Sequence, residues 1–206
     1  MGSDESSVDK EESFQTSSGS MNIEHYLKTT KFTKPQIQLL KRSYEKLKSK
    51  SLDGKIRSSD FVEQMGFPNK AIGEKLFAAL DDDGNGDLDF DEFINGLNCF
   101  HPQSPFDKKA ELCFNAYDDD GSGEISKDEI KTMIEVCLEN NEYIQLTKAQ
   151  LNTLLDELFA QYDDDGGGEI NLKEFTDLVS KAPGIIECFN FNIEDLEEKE
   201  LANNNK

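Results

Sequence analysis

Three twelve-residue segments of this chain share one arrangement of oxygen-bearing side chains. They start at Asp81, Asp118 and Asp163, and each has Asp at the first and third positions and Glu at the twelfth. Each also has Gly at the sixth position, which allows a sharp turn, and an aliphatic residue at the eighth. A calcium ion takes six to eight oxygen ligands, and this spacing provides them from positions one, three, five, seven, nine and twelve. The segments therefore predict three calcium-binding loops.

In such a loop most ligands are side chains, position seven contributes its backbone carbonyl, and the final Glu contributes both oxygens. The candidate ligands are Asp81, Asp83, Asn85, Asp87, Asp89 and Glu92, then Asp118, Asp120, Ser122, Glu124 and Glu129, then Asp163, Asp165, Glu169 and Glu174. We expect Ca²⁺ at three sites, with Mg²⁺ as an alternative occupant in the resting state. The loop at Asp163 should bind most weakly, because Gly167 leaves its fifth position without a side chain.

Each loop lies between two helical patterns, which is the arrangement of an EF-hand. EF-hands bury their helices in pairs, so three of them predict a fourth upstream of Asp81. Residues 49–60 fit the Gly and aliphatic positions, but they have Ser at positions one and three and Asp60 at the twelfth. Lysine and arginine add positive charge to this segment, so we expect it to complete the fold without holding calcium. The eighth-position residues should pair as short strands, Ile56 with Leu88 and Ile125 with Ile170.

The predicted fold class is all-α, with two EF-hand pairs, four helix-loop-helix units and short antiparallel β pairing between loops. Pro35, Asn69 and Ser104 with Pro105 are suited to helix starts, and apolar residues recur at helical spacing after each of them. The predicted division is an acidic, disordered tail at 1–32, a first lobe at 33–101 and a second lobe at 102–183. An apolar segment and a polar tail follow at 184–206.

The net charge of −21 argues against nucleic acid and anionic membrane surfaces as partners. The three loops hold seven, six and five acidic residues, so much of this charge belongs to the predicted binding chemistry. The four cysteines lack the close spacing of a zinc site and indicate reduced thiols, which fits a cytoplasmic protein. No apolar run approaches membrane-spanning length. Gly2 and Ser6 match an N-myristoylation signal, although a Gly-Ser start can be a cloning remnant, so we expect a membrane partner only if Gly2 is myristoylated.

Two stretches carry a resemblance to a known family: GDLDFDEFINGLNCF within and after the loop at Asp81, and ENNEYIQLTKAQLNTLLDELF before the loop at Asp163. With one degenerate and three intact loops, residues 33–183 resemble the calcineurin B and neuronal calcium sensor group, and are similar to the calaxin-type sensors of ciliary dynein. The resemblance implies that calcium opens a hydrophobic groove for an amphipathic helix of a target enzyme, channel or cytoskeletal motor. The calcineurin B family uses all four loops, however, and neuronal sensors usually carry Cys-Pro in the first.

We interpret the chain as a calcium sensor that regulates a partner protein, in the cytoplasm or at a cytoskeletal or ciliary location. It is not expected to be an enzyme, because no nucleophile stands beside a base in a recognisable signature. A soluble calcium buffer without a target is the alternative. The apolar residues from Ile185 to Leu196 have two interpretations: they occupy the protein's own groove until a target displaces them, or they pack as ordinary core.

Overall fold

The computed structural model describes residues 23–65, 67, 69–138, 145–187, 189, 193 and 196. This part of the chain contains ten helices and one two-stranded sheet. The elements are α1 (Ile23–Thr29), α2 (Lys34–Lys50), α3 (Ser58–Met65), α4 (Lys70–Leu80), α5 (Phe90–Asn98), α6 (Phe106–Tyr117), β1 (Glu124–Ile125), α7 (Lys127–Leu138), α8 (Lys148–Tyr162), β2 (Ile170–Asn171), α9 (Leu172–Lys181) and α10 (Gly184–Glu187).

The helices form four helix-loop-helix units, which confirms the predicted fold class. The units are α2 with α3, α4 with α5, α6 with α7, and α8 with α9. In the second pair of units β1 and β2 are antiparallel, with Ile125 opposite Ile170 as the sequence predicts. In the first pair the contact is shorter, because the Leu88 N–H donates to the Ile56 carbonyl at 3.2 Å without a strand being formed.

Helices start at all three places that the sequence signals predict. Pro35 lies in the first turn of α2, where its missing N–H is not needed. The Asn69 side chain caps α4 by accepting the Ala71 N–H at 2.8 Å. At α6 the helix begins after Pro105, and the Ser104 hydroxyl donates to the Asn98 carbonyl at 2.5 Å instead of capping the helix.

Residues 23–32 differ from the predicted disordered tail, because they form α1 and pack on the first lobe. Tyr26, Thr30 and Phe32 are all less than 9% exposed. The Tyr26 hydroxyl donates to Asp91 Oδ1 on α5 at 2.7 Å, and the Lys31 N–H donates to Asn98 Oδ1 at the end of the same helix. The apolar residues of this segment recur at helical spacing, but the polar composition around them outweighs that signal in the sequence.

The hydrophobic core is continuous between the two pairs of units. Helix α4 packs on α3 in the first pair and equally on α6 in the second. Two polar contacts also connect the two pairs of units. Asn69 Nδ2 donates to the Val136 carbonyl at 3.0 Å, and Lys75 Nζ lies 2.5 Å from Asp119 Oδ1. Helix α4, which ends at the first calcium loop, therefore also contacts the elements of the second loop.

The described residues after position 183 pack against the second lobe. Helix α10 lies on α9, and Ile186, Phe189 and Leu196 are at most 2% exposed. The Tyr117 hydroxyl donates to the Ile185 carbonyl at 2.7 Å, and the ring of Phe189 lies 6.0 Å from the Tyr117 ring. This burial favours the interpretation of the segment as core.

The described helices include none with the length and apolar character needed to cross a membrane. Cys113 is completely buried in α6, and this burial raises the pKa of its thiol to about 12. The group is therefore protonated at neutral pH and behaves as a small apolar side chain. Gly2 and Ser6, on which the predicted myristoylation depends, lie outside the described residues.

Candidate metal centre

Each predicted calcium loop starts at the C-terminal end of a helix. Asp81, Asp118 and Asp163 directly follow α4, α6 and α8, and their N–H groups donate to carbonyls in the last helical turn at 2.9–3.0 Å. The residue before each of these aspartates is buried in the core. The first candidate ligand of every loop therefore has a fixed place at the edge of the core.

Carboxylates from positions one, three and twelve converge in all three loops. The groups are Asp81 with Asp83 and Glu92, Asp118 with Asp120 and Glu129, and Asp163 with Asp165 and Glu174. Within a group, one oxygen from each carboxylate lies within 4.8 Å of the others. Calcium–oxygen distances place opposite ligands about 4.6–5.2 Å apart, so these groups have the dimensions of a calcium site.

Backbone amides of the loop hold the two aspartates in place. The Asn85 N–H donates to Asp81 Oδ1 at 3.0 Å and to Asp83 Oδ1 at 3.1 Å, while the Gly86 N–H donates to Asp81 Oδ2 at 2.8 Å. The same three bonds recur in the other two loops at 2.8–3.0 Å. Gly86 has φ of 76°, a conformation that glycine adopts without strain. Hydrogen bonds from Asn85 lower the pKa of Asp83, which favours the ionised form that binds a cation.

The twelfth-position glutamates connect the start of each loop to the helix that follows. Glu92 Oε1 accepts the Asp82 N–H at 3.1 Å, and Oε2 accepts the Asp89 N–H at 2.8 Å. Glu129 and Glu174 accept the corresponding pairs of N–H groups at 2.8–3.0 Å. Each Glu lies in the first turn of the following helix. An ion bound by both oxygens would therefore act directly on the position of that helix.

The loops differ at the fifth position, where their predicted ligand sets also differ. Asn85 Oδ1 accepts the Asp87 N–H at 2.8 Å, and the Ser122 hydroxyl donates to the Glu124 carbonyl at 2.8 Å. Gly167 provides no side chain, although the backbone of its loop follows the other two. The order of calcium affinities among the three loops stays a prediction. Because the three loops share the same backbone hydrogen bonds, the predicted difference in affinity comes from the fifth-position side chain.

At the seventh and ninth positions, the side chains also contact other protein groups. Asp87 Oδ1 accepts the Ile56 N–H at 2.6 Å, which leaves the Asp87 carbonyl as the predicted ligand. Glu124 in β1 and Glu169 just before β2 are close together, and the hydrogen bond with the Glu124 carboxyl raises the pKa of Glu169. The Asp89 carboxylate accepts the Glu92 N–H at 2.8 Å and thereby caps α5.

The loop at residues 49–60 contributes no member to the acidic groups found in the described part of the chain. Its Asp53 binds Arg57 instead, through both carboxylate oxygens. The signal for this pair is visible in the sequence, where a basic residue stands at the ninth position and an acid at the fifth. Sequence reasoning also misses Lys75, which pairs with Asp119 at the second position of the loop at Asp118.

An apolar cavity of about 460 Å³ opens on the second lobe. Its walls come from the second half of α7, from α8, from α9 and from α10, and include Ile134, Leu138, Leu154, Leu178 and Ile185. Leu154 is 40% exposed at its rim. Glu129 and Glu174 belong to the helices α7 and α9, so two walls of the cavity are joined to calcium loops.

Comparison with known proteins agrees with this geometry. The model of the EF-hand domain pair matches residues 69–135 and 107–180, which contain the three acidic loops and exclude residues 49–60. The calcineurin B subunit of Schizosaccharomyces pombe is 29% identical over 163 residues, which cover 79% of this chain and 91% of that protein. The calcineurin B subunit of Naegleria gruberi is 31% identical over 77% of this chain and 86% of that protein. The corresponding protein of Yarrowia lipolytica is 31% identical, over 71% and 82%.

Proposed function

Because the chain belongs to the EF-hand calcium sensors of the calcineurin B group, we propose that it is a non-catalytic subunit that regulates a partner protein in response to calcium. The relatives are named as subunits of calcineurin, so their names state an assembly with another chain. The proposed partner of this protein is such a chain, and the bound part of it is an amphipathic helix.

The proposed ligands are those of the three loops that begin at Asp81, Asp118 and Asp163. Converging carboxylates, and backbone hydrogen bonds of 2.8–3.1 Å to the same loop positions, support three Ca²⁺ ions per chain. Mg²⁺ is the proposed occupant in the resting state, since it also takes oxygen ligands but keeps several waters. We propose the loop at Asp163 as the weakest site, because Gly167 offers no ligand.

One observation supports the sensor mechanism most directly. Helix α7 carries a proposed calcium ligand near its start, and residues near its end line the cavity. Glu129 lies in its first turn, while Ile134 and Leu138 line the cavity one and two turns later. If both oxygens of Glu129 bind the ion, α7 moves with the loop and the cavity widens into a groove. Apolar walls with an exposed leucine at the rim suit the apolar face of a helix.

Hydrophobic-dye fluorescence with and without calcium tests this function on the full chain. We expect calcium to increase the fluorescence, and Leu154→Glu to abolish the increase by placing a charge in the groove. Leu27→Glu is the matched control, since Leu27 is 42% exposed on helix α1, lies outside the calcium loops and does not line the cavity. If calcium binds without any increase in fluorescence, the protein is a calcium buffer. If both variants behave alike, the groove is not at this cavity.

A further inference from the structure

Arg57 stands at the ninth position of the degenerate loop at residues 49–60 and binds two other residues of that loop. Its Nη1 donates to Ser51 Oγ at 3.0 Å and to Asp53 Oδ1 at 3.2 Å, and its Nη2 binds Asp53 Oδ2. Ser51 and Asp53 stand at the third and fifth positions of the loop, where the next loop has Asp83 and Asn85. The guanidinium is therefore held by oxygens from the positions that would otherwise face a calcium ion.

The backbone around Arg57 keeps the turn of a calcium loop. Gly54 at the sixth position has φ of 70°, close to the 76° of Gly86. The Lys55 N–H donates to Asp53 Oδ1 at 3.2 Å, as the Asp87 N–H donates to Asn85 Oδ1 at 2.8 Å. Half of the loop thus has the geometry of the calcium loops, although its ligands differ.

The other half of a calcium site is missing from this loop. Ser49 at the first position remains in α2, and its hydroxyl donates to the Lys46 carbonyl at 2.8 Å. Three basic and two acidic residues give the twelve-residue segment a net positive charge, which repels a divalent cation. The hydrogen bonds with Arg57 lower the pKa of the Asp53 carboxyl. An ion pair within the loop therefore neutralises the carboxylate that could otherwise bind a cation.

The degenerate loop makes direct contact with the calcium loop at Asp81. The Ile56 N–H donates to Asp87 Oδ1 at 2.6 Å, and the Leu88 N–H donates to the Ile56 carbonyl at 3.2 Å. Lys55 Nζ lies 4.0 Å from Asp87 Oδ2. Ile56 directly precedes Arg57 and is fully buried with Leu88, so the position of one loop determines that of the other.

We propose that the Arg57 guanidinium takes the place of a calcium ion in the degenerate loop and, by fixing Ile56, positions the loop at Asp81 for calcium. Arg57 is a positioning residue in this scheme, because it acts on the calcium site through Ile56 and Asp87. The inference rests on the proposed function, since it requires the loop at Asp81 to bind calcium.

The test uses the full chain with Glu129→Gln and Glu174→Gln, which weaken the other two loops and leave the site at Asp81 to be titrated by calorimetry. In this background Arg57→Gln should lower the association constant for calcium by about three- to tenfold. Lys50→Gln is the matched control, because it removes the same charge from the same loop and breaks an ion pair with Glu63 instead of the pair with Asp53. Loss of a positive charge alone should leave calcium affinity equal or slightly higher.

Two further variants separate positioning from general destabilisation. Asp53→Asn should weaken calcium binding as Arg57→Gln does, and the double variant should be no worse than either, because both break one contact. Arg57→Lys should restore only part of the affinity, since an ammonium cannot bind Asp53 through two parallel bonds.

Equal affinities of the Arg57→Gln and Lys50→Gln variants, or additive effects of Arg57→Gln and Asp53→Asn, would overturn the inference and leave the proposed function intact. A background variant that binds no calcium at all would instead refute the assignment of the loop at Asp81, and the proposal for Arg57 with it.

Discussion

Phe189 provides the most direct test of how the C-terminal segment is held. Its side chain is fully buried, and its ring lies against Tyr117, the residue before the first candidate ligand of the loop at Asp118. Replacing a buried Phe by Ala costs about 3–5 kcal/mol, because the lost burial and the remaining cavity both destabilise the fold. In a chain of this length each kcal/mol lowers Tm by about 2–4 °C, so Phe189→Ala should lower Tm by roughly 6–20 °C.

Thermal unfolding followed by circular dichroism measures this change, in calcium-free and calcium-saturated buffer. The matched control is Phe106→Ala, because Phe106 is 41% exposed and the same substitution there should cost less than about 1 kcal/mol. Calorimetry on the same samples should also show weaker calcium binding in the second lobe, since Tyr117 ends the helix from which Asp118 extends.

An unchanged Tm for Phe189→Ala, together with stronger calcium-dependent dye binding, would refute this reasoning. That result would mean that the segment is a displaceable occupant of the groove, which is the other interpretation of the sequence. The partner helix would then compete with residues of the same chain, and its apparent affinity would fall by the fraction of time that the groove is filled.

Three further measurements test the calcium sites and the N-terminal helix. Calorimetry on the unmodified chain should give three ions with the site at Asp163 weakest; four equal sites would contradict the ligand assignment. Gly167→Asn should strengthen calcium binding at that weakest site severalfold, because it adds an oxygen at the fifth position. The new Cβ would lie 2.9 Å from Asp165 Oδ1, so the Asp165 side chain must move. Unchanged affinity would mean that this displacement cancels the gain. Tyr26→Phe should lower the free energy of unfolding by about 1 kcal/mol through loss of its bond to Asp91, and no loss in chemical denaturation would show that the bond is unimportant.

The sequence predicts the parts of this protein in which one short segment contains the whole signal. Each acidic loop carries its ligands, its glycine turn and its strand residue within twelve positions, so the sequence alone places the groups around Asp81, Asp118 and Asp163. The pairing of Ile125 with Ile170 follows in the same way, because two equivalent loops impose it. Local caps such as Asn69 are also predictable, since the capping atom and the capped amide are two residues apart.

The contacts that could not be predicted join segments that are distant in the chain. Tyr26 and Asp91 are 65 positions apart, and no property of the polar segment around Tyr26 identifies its acceptor. Lys75 and Asp119 are 44 positions apart, and their pairing depends on how α4 packs against α6. The pair of Arg57 with Asp53 is an exception, because its two residues are four positions apart and its signal is visible in the sequence. A basic residue at a ligand position can also form an ion pair with an acidic residue of the same loop.

The two lobes differ in the type of loop that pairs with an acidic loop. This difference indicates which lobe should change its structure when calcium binds. In the first lobe the loop at Asp81 faces the degenerate loop, in which Arg57 binds Asp53. In the second lobe two calcium loops face each other, with the Glu124 and Glu169 carboxyls in contact between them. Calcium bound at either of those loops would lower the negative charge felt at the other, so we expect their occupancies to be coupled. The cavity walls α7 and α9 follow these two loops, and we therefore expect the groove to respond to the second lobe and the first lobe to serve as its stable base.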